Sequence, residues 1–319
     1  MFGTLRLILA AMVALSHIGG NFGNVWNGVV AVVIFYMISG YAMTGLLRAR
    51  FPETNAAPTF YFERIVRLAP QYYFWLAFAL FISLYLKWYW YSVDTKGFIP
   101  YGIFAYLTVV PLGLQSYFGS VDALILPQAT TLGIEITLYV FSPWILKSRK
   151  LSWGAASACL SIFVATTVDI LPPNIYTYFT SPGPMIFYLL GSFLYQKDWK
   201  SLGIFTTALI TILLFGLPQR FNLEFLLGVI VGLPVMIVLT RFSANKIDSA
   251  LGDASYGCFL GHGIVFVTMT HYLGVTEYTT SFRILATILA CLMGWLAFYL
   301  VERPTVSFRR RLKAGGNLK

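Results

Sequence analysis

Residues 28–47 read GVVAVVIFYMISGYAMTGLL, twenty positions without a charge. An apolar run of about 20 residues is the length of helix that crosses about 30 Å of hydrocarbon. Runs of this kind recur along the whole 319-residue chain. Apolar residues make up 58%, aromatics 17% and charged residues only 11%, whereas a soluble domain is about 25% charged and under about 50% apolar. The short alternating segments of a β-barrel are absent from the pattern. The expected fold is therefore all-α, a polytopic membrane protein with about ten transmembrane helices. The spans fall near residues 3–21, 28–47, 69–91, 127–146, 153–171, 182–196, 201–217, 225–240, 252–273 and 282–302.

The positive charge supports the same topology. With the N-terminus taken as cytoplasmic, 17 of the 22 Lys and Arg residues fall in the inner loops and the tail. Only Lys87, Lys96, Arg220 and Arg283 lie outside. Such a bias places both termini in the cytoplasm. The net charge of +10 is thus read as loops facing anionic lipid head groups, not as a nucleic-acid surface. Residues 98–118 are apolar, but counting them as a span would put the basic KSRK loop outside. They are expected to be re-entrant or interfacial, interrupted by Pro111 and Gly113. The chain reads as one transmembrane domain over residues 1–304 and a basic cytoplasmic tail over 305–319. Cys159, Cys258 and Cys291 lie in apolar segments without metal-ligand spacing, so they are expected to be core residues. Asp253 and Ser255 are expected to cap the ninth helix.

Several polar groups sit where hydrocarbon is expected. In the first span, Arg6 and His17 are eleven positions apart. Eleven steps of about 100° return both to one face, about 16 Å apart along the axis. A cleaved leader would carry its charge ahead of the apolar core and a small-residue cleavage site behind it; LSHIGGN does not offer one. Glu135, Ser39 and His262 lie within three other spans. At about 1.5 Å per residue, His17 sits at about 20 Å depth, Glu135 at about 17 Å, and His262 and Ser39 at about 14 Å. Four helices thus bring polar groups into one slab, and an unpartnered buried carboxylate is costly enough to imply a shared cavity. Other readings stand beside this one. Arg6 can snorkel to an interface. Ser39 with Gly40 is also a small-residue helix contact, and His262 a hydrogen-bonded one. Arg64 and Arg67 share a helical face and suit a phosphate ligand by their forked geometry, yet also suit a plain positive-inside anchor.

Together these stretches resemble the acyltransferase-3 family of integral membrane acyltransferases, in particular its exopolysaccharide acetyltransferase branch. The resemblance rests on Arg6 and His17 in the first span, and on IFYMISGYAMT with Ser39 and Gly40. It continues with Arg64, Arg67 and Pro70, TTLGIEITLY with Glu135, LGDASYGCFLGH with Ser255, Tyr256 and His262, and the closing VERP. Six motifs occur in order over about 300 residues. Ala31 and Val33 stand where the family often carries Gly and an acid, and Thr130 where it carries Trp.

The resemblance implies transfer of an acyl group, commonly acetyl, from cytoplasmic acyl-CoA to a hydroxyl of a cell-envelope glycan or lipid-linked saccharide. His17, Glu135 and Arg6 are the implied catalytic residues. Arg64, Arg67, Ser39 and His262 are the implied substrate-binding residues. Glu135 is expected to orient the His17 imidazole, and Ser39 or His262 to donate to the oxyanion. No bound cofactor or metal is expected, and the membrane is taken as the bacterial inner membrane. A proton-coupled transporter or flippase is the rival class, since midplane ionisable residues also describe carriers; paired halves are not evident in the sequence.

Overall fold

In the computed structural model, the structure describes residues 1–53, 56–86, 126, 128–275 and 277–307. The expected interfacial segment 98–118 and most of the basic tail lie outside these residues. The described residues form ten α-helices and no strand. They are α1 (Gly3–Ser16), α2 (Asn27–Arg50), α3 (Ala57–Leu86), α4 (Ala129–Ile145) and α5 (Arg149–Thr167). Next come α6 (Pro182–Gln196), α7 (Trp199–Phe215), α8 (Asn222–Leu239), α9 (Lys246–Leu273) and α10 (Thr280–Ala297). One helix thus stands at each sequence-predicted span. Two π-helical turns, Asn174–Phe179 and Phe298–Glu302, precede α6 and continue α10.

Among the described residues, five helices are long and apolar enough to cross a membrane. They are Asn27–Arg50, Ala57–Ile82, Asn222–Leu239, Lys246–Leu273 and Thr280–Ser307. Helices α1 and α7 are apolar but shorter. The apolar surface points outward. On α10, Ile284, Ile288, Leu292 and Trp295 recur at helical spacing and are all exposed. In water such a stripe is a liability; in lipid it is the solvent-facing side.

Helix α2 is the axis of the fold. Its residues from Asn27 to Leu47 are mostly buried, and it packs against α1, α6 and α8. Its closest neighbour is α6, because glycine faces glycine's partner backbone twice. A Cβ on Gly40 would lie 1.8 Å from the Tyr188 carbonyl oxygen, and one on Gly191 would lie 1.8 Å from that of Met37. Small residues let apolar helices approach this closely, where lipid gives no hydrophobic incentive to associate. A buried bond from Thr44 Oγ1 to Ser192 Oγ (2.8 Å) adds to the same contact. On the other side, α9 packs against α1 and α10. The Gly257–Gly294 crossing brings α10 against α9.

Local chemistry sets several helix ends. Asn245 caps α9 by accepting the Asp248 N–H at 2.7 Å. The helix therefore starts two turns before the expected Asp253 and Ser255. Ser255 instead donates back to the Gly252 carbonyl at 2.7 Å, within the helix. Asp198 caps α7 through the Ser201 N–H. The α1–α2 connection turns through Gly19 and Gly23, both with positive φ, and Asn27 Nδ2 donates to the Gly20 carbonyl at 2.9 Å. This turn reverses the chain just past His17.

Candidate active site

A cavity of about 360 Å³ opens between α1, α2, α3, α4 and α9. Arg6, Arg64 and Arg67 line it toward one end, with Gly252 and Ser255. Leu46, Met43, Ala42, Ser39 and Phe35 form its wall on α2 over three turns, with Tyr36 beside them. Tyr256 and Phe259 line it from α9, and Glu135 and Tyr139 from α4. Five of the seven sequence-predicted site residues therefore meet here: Arg6, Ser39, Arg64, Arg67 and Glu135.

The arginines differ in their partners. Arg67 Nη1 lies 2.9 Å from Glu302 Oε1, and the other Glu302 oxygen accepts from Gln71 Nε2 at 2.7 Å. Glu302 is 1% exposed, so the carboxylate is fixed in the core and holds Arg67 from behind. This is the place of the closing VERP motif: the π-helical turn after α10 turns Glu302 inward. Arg6 has no carboxylate within ion-pair distance among the described residues. Arg64 places its guanidinium over the Phe60 ring, 5.9 Å from the centroid.

Deeper in the cavity, Ser39 Oγ donates to Glu135 Oε1 at 2.6 Å. Tyr139 OH donates to the same carboxylate oxygen, and its oxygen lies 3.1 Å from Ser39 Oγ. The Ser39 proton is therefore committed to Glu135, not available to an oxyanion as expected. Glu135 in turn receives both of these hydroxyls on one oxygen, a pairing the expected contact with His17 did not include. Tyr139 was given no role from the sequence. Its signal was the Glu-x-x-x-Tyr spacing, since residues four apart share a helical face.

His17 and His262 do not line the cavity. They stand together one turn beyond it. His17 Nδ1 and His262 Nε2 are 2.7 Å apart, with ring planes within 14° and centroids 4.9 Å apart. His262 Nδ1 lies 3.3 Å from the Cys258 carbonyl oxygen. A carbonyl only accepts, so His262 carries its proton on Nδ1 and, when neutral, accepts on Nε2. His17 Nδ1–H must then be the donor, which leaves the lone pair of neutral His17 on Nε2. This is an assignment from the bonding network. His262, held by its own helix, thus orients His17. His262 is fully buried, which fits the stringency of that arrangement.

Two of the departures from the family motifs, Ala31 and Val33, are packing positions. Ala31 and Val33 are 0% and 1% exposed, and Val33 abuts Gly228 of α8 so closely that a Cβ there would meet it at 2.7 Å. The side chain of Val33 faces α8 rather than the cavity. All three cysteines are free, although Cys258 and Cys291 bring their sulfurs to 3.4 Å across the α9–α10 crossing.

An all-helical bundle with an arginine-rich cavity leading toward a histidine pair defines a membrane protein with a built polar interior. The family model described as an acyltransferase domain matches residues 3–302. The chain belongs to that family, and it is a multi-pass membrane acyltransferase. Comparisons with curated proteins and with solved structures give no match.

Proposed function

We propose that the protein transfers an acyl group, acetyl in the first instance, from acyl-CoA to a hydroxyl of a cell-envelope or exopolysaccharide sugar. The observation that carries this is the relay from the Cys258 carbonyl through His262 to His17. It makes His17 Nε2 the basic nitrogen, one turn beyond a cavity that begins with three arginines. The arginines suit the phosphoryl groups of CoA, which can stay at the Arg6 end while the pantetheine arm reaches inward. Glu135, with its Ser39 and Tyr139 hydroxyls, offers hydrogen bonds to the amides of that arm.

In the transfer, the acceptor oxygen bonds to the thioester carbonyl carbon and the carbon–sulfur bond breaks. The hydroxyl proton passes to His17 Nε2 and then to the departing CoA thiolate. His262 stabilises the imidazolium through the shared Nδ1 proton, as an orienting group does in a triad. A covalent acyl-imidazole on the same nitrogen gives the same balance in two steps. The protein would sit in a bacterial plasma membrane, with ten crossings, both termini cytoplasmic and the Arg6 end facing the cytoplasm.

The test is incorporation of label from acetyl-labelled acetyl-CoA into membrane glycan, using membranes that contain the protein. Wild type should transfer, and His17→Ala should lose transfer by at least about 100-fold, the scale of general-base catalysis, while still inserting and folding. Full turnover by a folded His17→Ala protein would overturn the assignment. Solute flux without label transfer would favour a carrier.

A further inference from the structure

We propose that Phe35 and Phe259 form a wall that sets which acyl chain reaches His17. This rests on the acyl-transfer reading above and adds the residues that choose the donor. The cavity wall on α2 runs from Leu46 through Met43 and Ser39 and ends at Phe35. On α9 it runs from Gly252 through Ser255 and ends at Phe259. These two deepest residues meet edge to face, with ring centroids 5.9 Å apart. The next turn of α9 carries His262, whose ring centroid is 6.4 Å from that of Phe259. His17 is hydrogen-bonded to the far edge of that ring. A thioester carbon held in the cavity therefore meets the two phenyl rings before it meets the imidazoles.

The wall is anchored from behind. Phe35 and Phe259 are half-buried, each with part of its ring facing the cavity. On the far side of the histidines, Phe266 closes the space at 1% exposure, with its centroid 5.5 Å from that of His262. The acyl group is thus confined between this aromatic pair and Phe266. Phe259 packs against all three apolar clusters of the protein, so its ring cannot retreat far. A short acyl chain fits the remaining space, and a longer one collides with the rings. In an apolar pocket each methylene is discriminated by about 10- to 200-fold, so the ring pair is sufficient to choose between acyl chains.

The experiment compares acetyl-CoA, butyryl-CoA and hexanoyl-CoA as donors to membrane glycan, for wild type, Phe259→Leu, Phe259→Ala and Phe35→Ala. The readout is the ratio of kcat/KM for hexanoyl to acetyl transfer, which is insensitive to the amount of folded protein. Both alanine variants should raise that ratio by at least about 10-fold, and Phe259→Leu should fall between them and wild type. An unchanged ratio in Phe259→Leu and Phe35→Ala, with wild type active on acetyl-CoA, overturns the wall. Absence of transfer from every donor in wild type defeats the acyl-transfer reading itself, and the wall with it.

Discussion

Gly40→Ala is the sharpest test of how packing serves the site. The added Cβ would lie 1.8 Å from the Tyr188 carbonyl oxygen and 2.7 Å from its carbon. Those are backbone atoms of α6, so no side-chain rotation relieves the contact. Non-bonded carbon–oxygen contacts need more than about 3 Å, so α2 and α6 must part by more than about 1 Å. Overpacking of this kind costs typically about 1–3 kcal/mol. The strain falls next to Ser39, whose bond to Glu135 is 2.6 Å. A shift of about 1 Å stretches that bond toward the limit of hydrogen bonding, and misplacements of this size cost about 100-fold in rate. Gly40→Ala should therefore lower both the melting temperature of the purified protein and its acyl transfer. Gly203→Ala on α7 is the control, because nothing lies within 4 Å of its Cβ position. It should be neutral or slightly stabilising, by up to about 1 kcal/mol. A Gly40→Ala protein with the melting temperature and turnover of Gly203→Ala would refute the reasoning.

Other outcomes follow from the structure. Arg6→Gln should raise the acyl-CoA KM by about 10-fold or more, as expected for a lost charge-assisted contact of about 1.5–3 kcal/mol. Arg67→Gln should raise it less, because Glu302 already offsets that charge; donor titrations of the two variants check the order. Asp198→Ala should destabilise the protein by about 1 kcal/mol through loss of the α7 cap, seen as a lower melting temperature at neutral pH. Burial raises the Asp198 carboxyl, but hydrogen bonds from Ser201 and the charges of Arg149 and Lys200 outweigh it and hold the pKa below its ordinary value. A depressed folded-state value means the stabilisation is present above the ordinary carboxylate range and is lost as the pH falls below about 4. The gap between wild type and Asp198→Ala should close in acid.

The amino-acid sequence was enough to establish the class of fold. Uncharged runs such as 28–47 leave few options, because backbone polar groups in hydrocarbon must be satisfied within each segment. It also placed Ser39, Glu135, His17 and His262 in one slab, since a polar group at membrane depth needs a partner; Ser39 and Glu135 line the cavity, and the two histidines stand beyond it. Helical periodicity gives depth and face along each helix, but it is silent on which face meets which neighbour. That is why Glu135 was paired with His17 from their similar depths, when the lateral arrangement of α4 and α2 gives Glu135 to Ser39, beside Tyr139 on its own helix. The His17–His262 relay, the hold of Glu302 on Arg67 and the Phe35–Phe259 wall are all contacts between helices distant in the chain. They depend on crossings set by glycine pairs and close backbone approach, a property of the packed bundle rather than of any one segment.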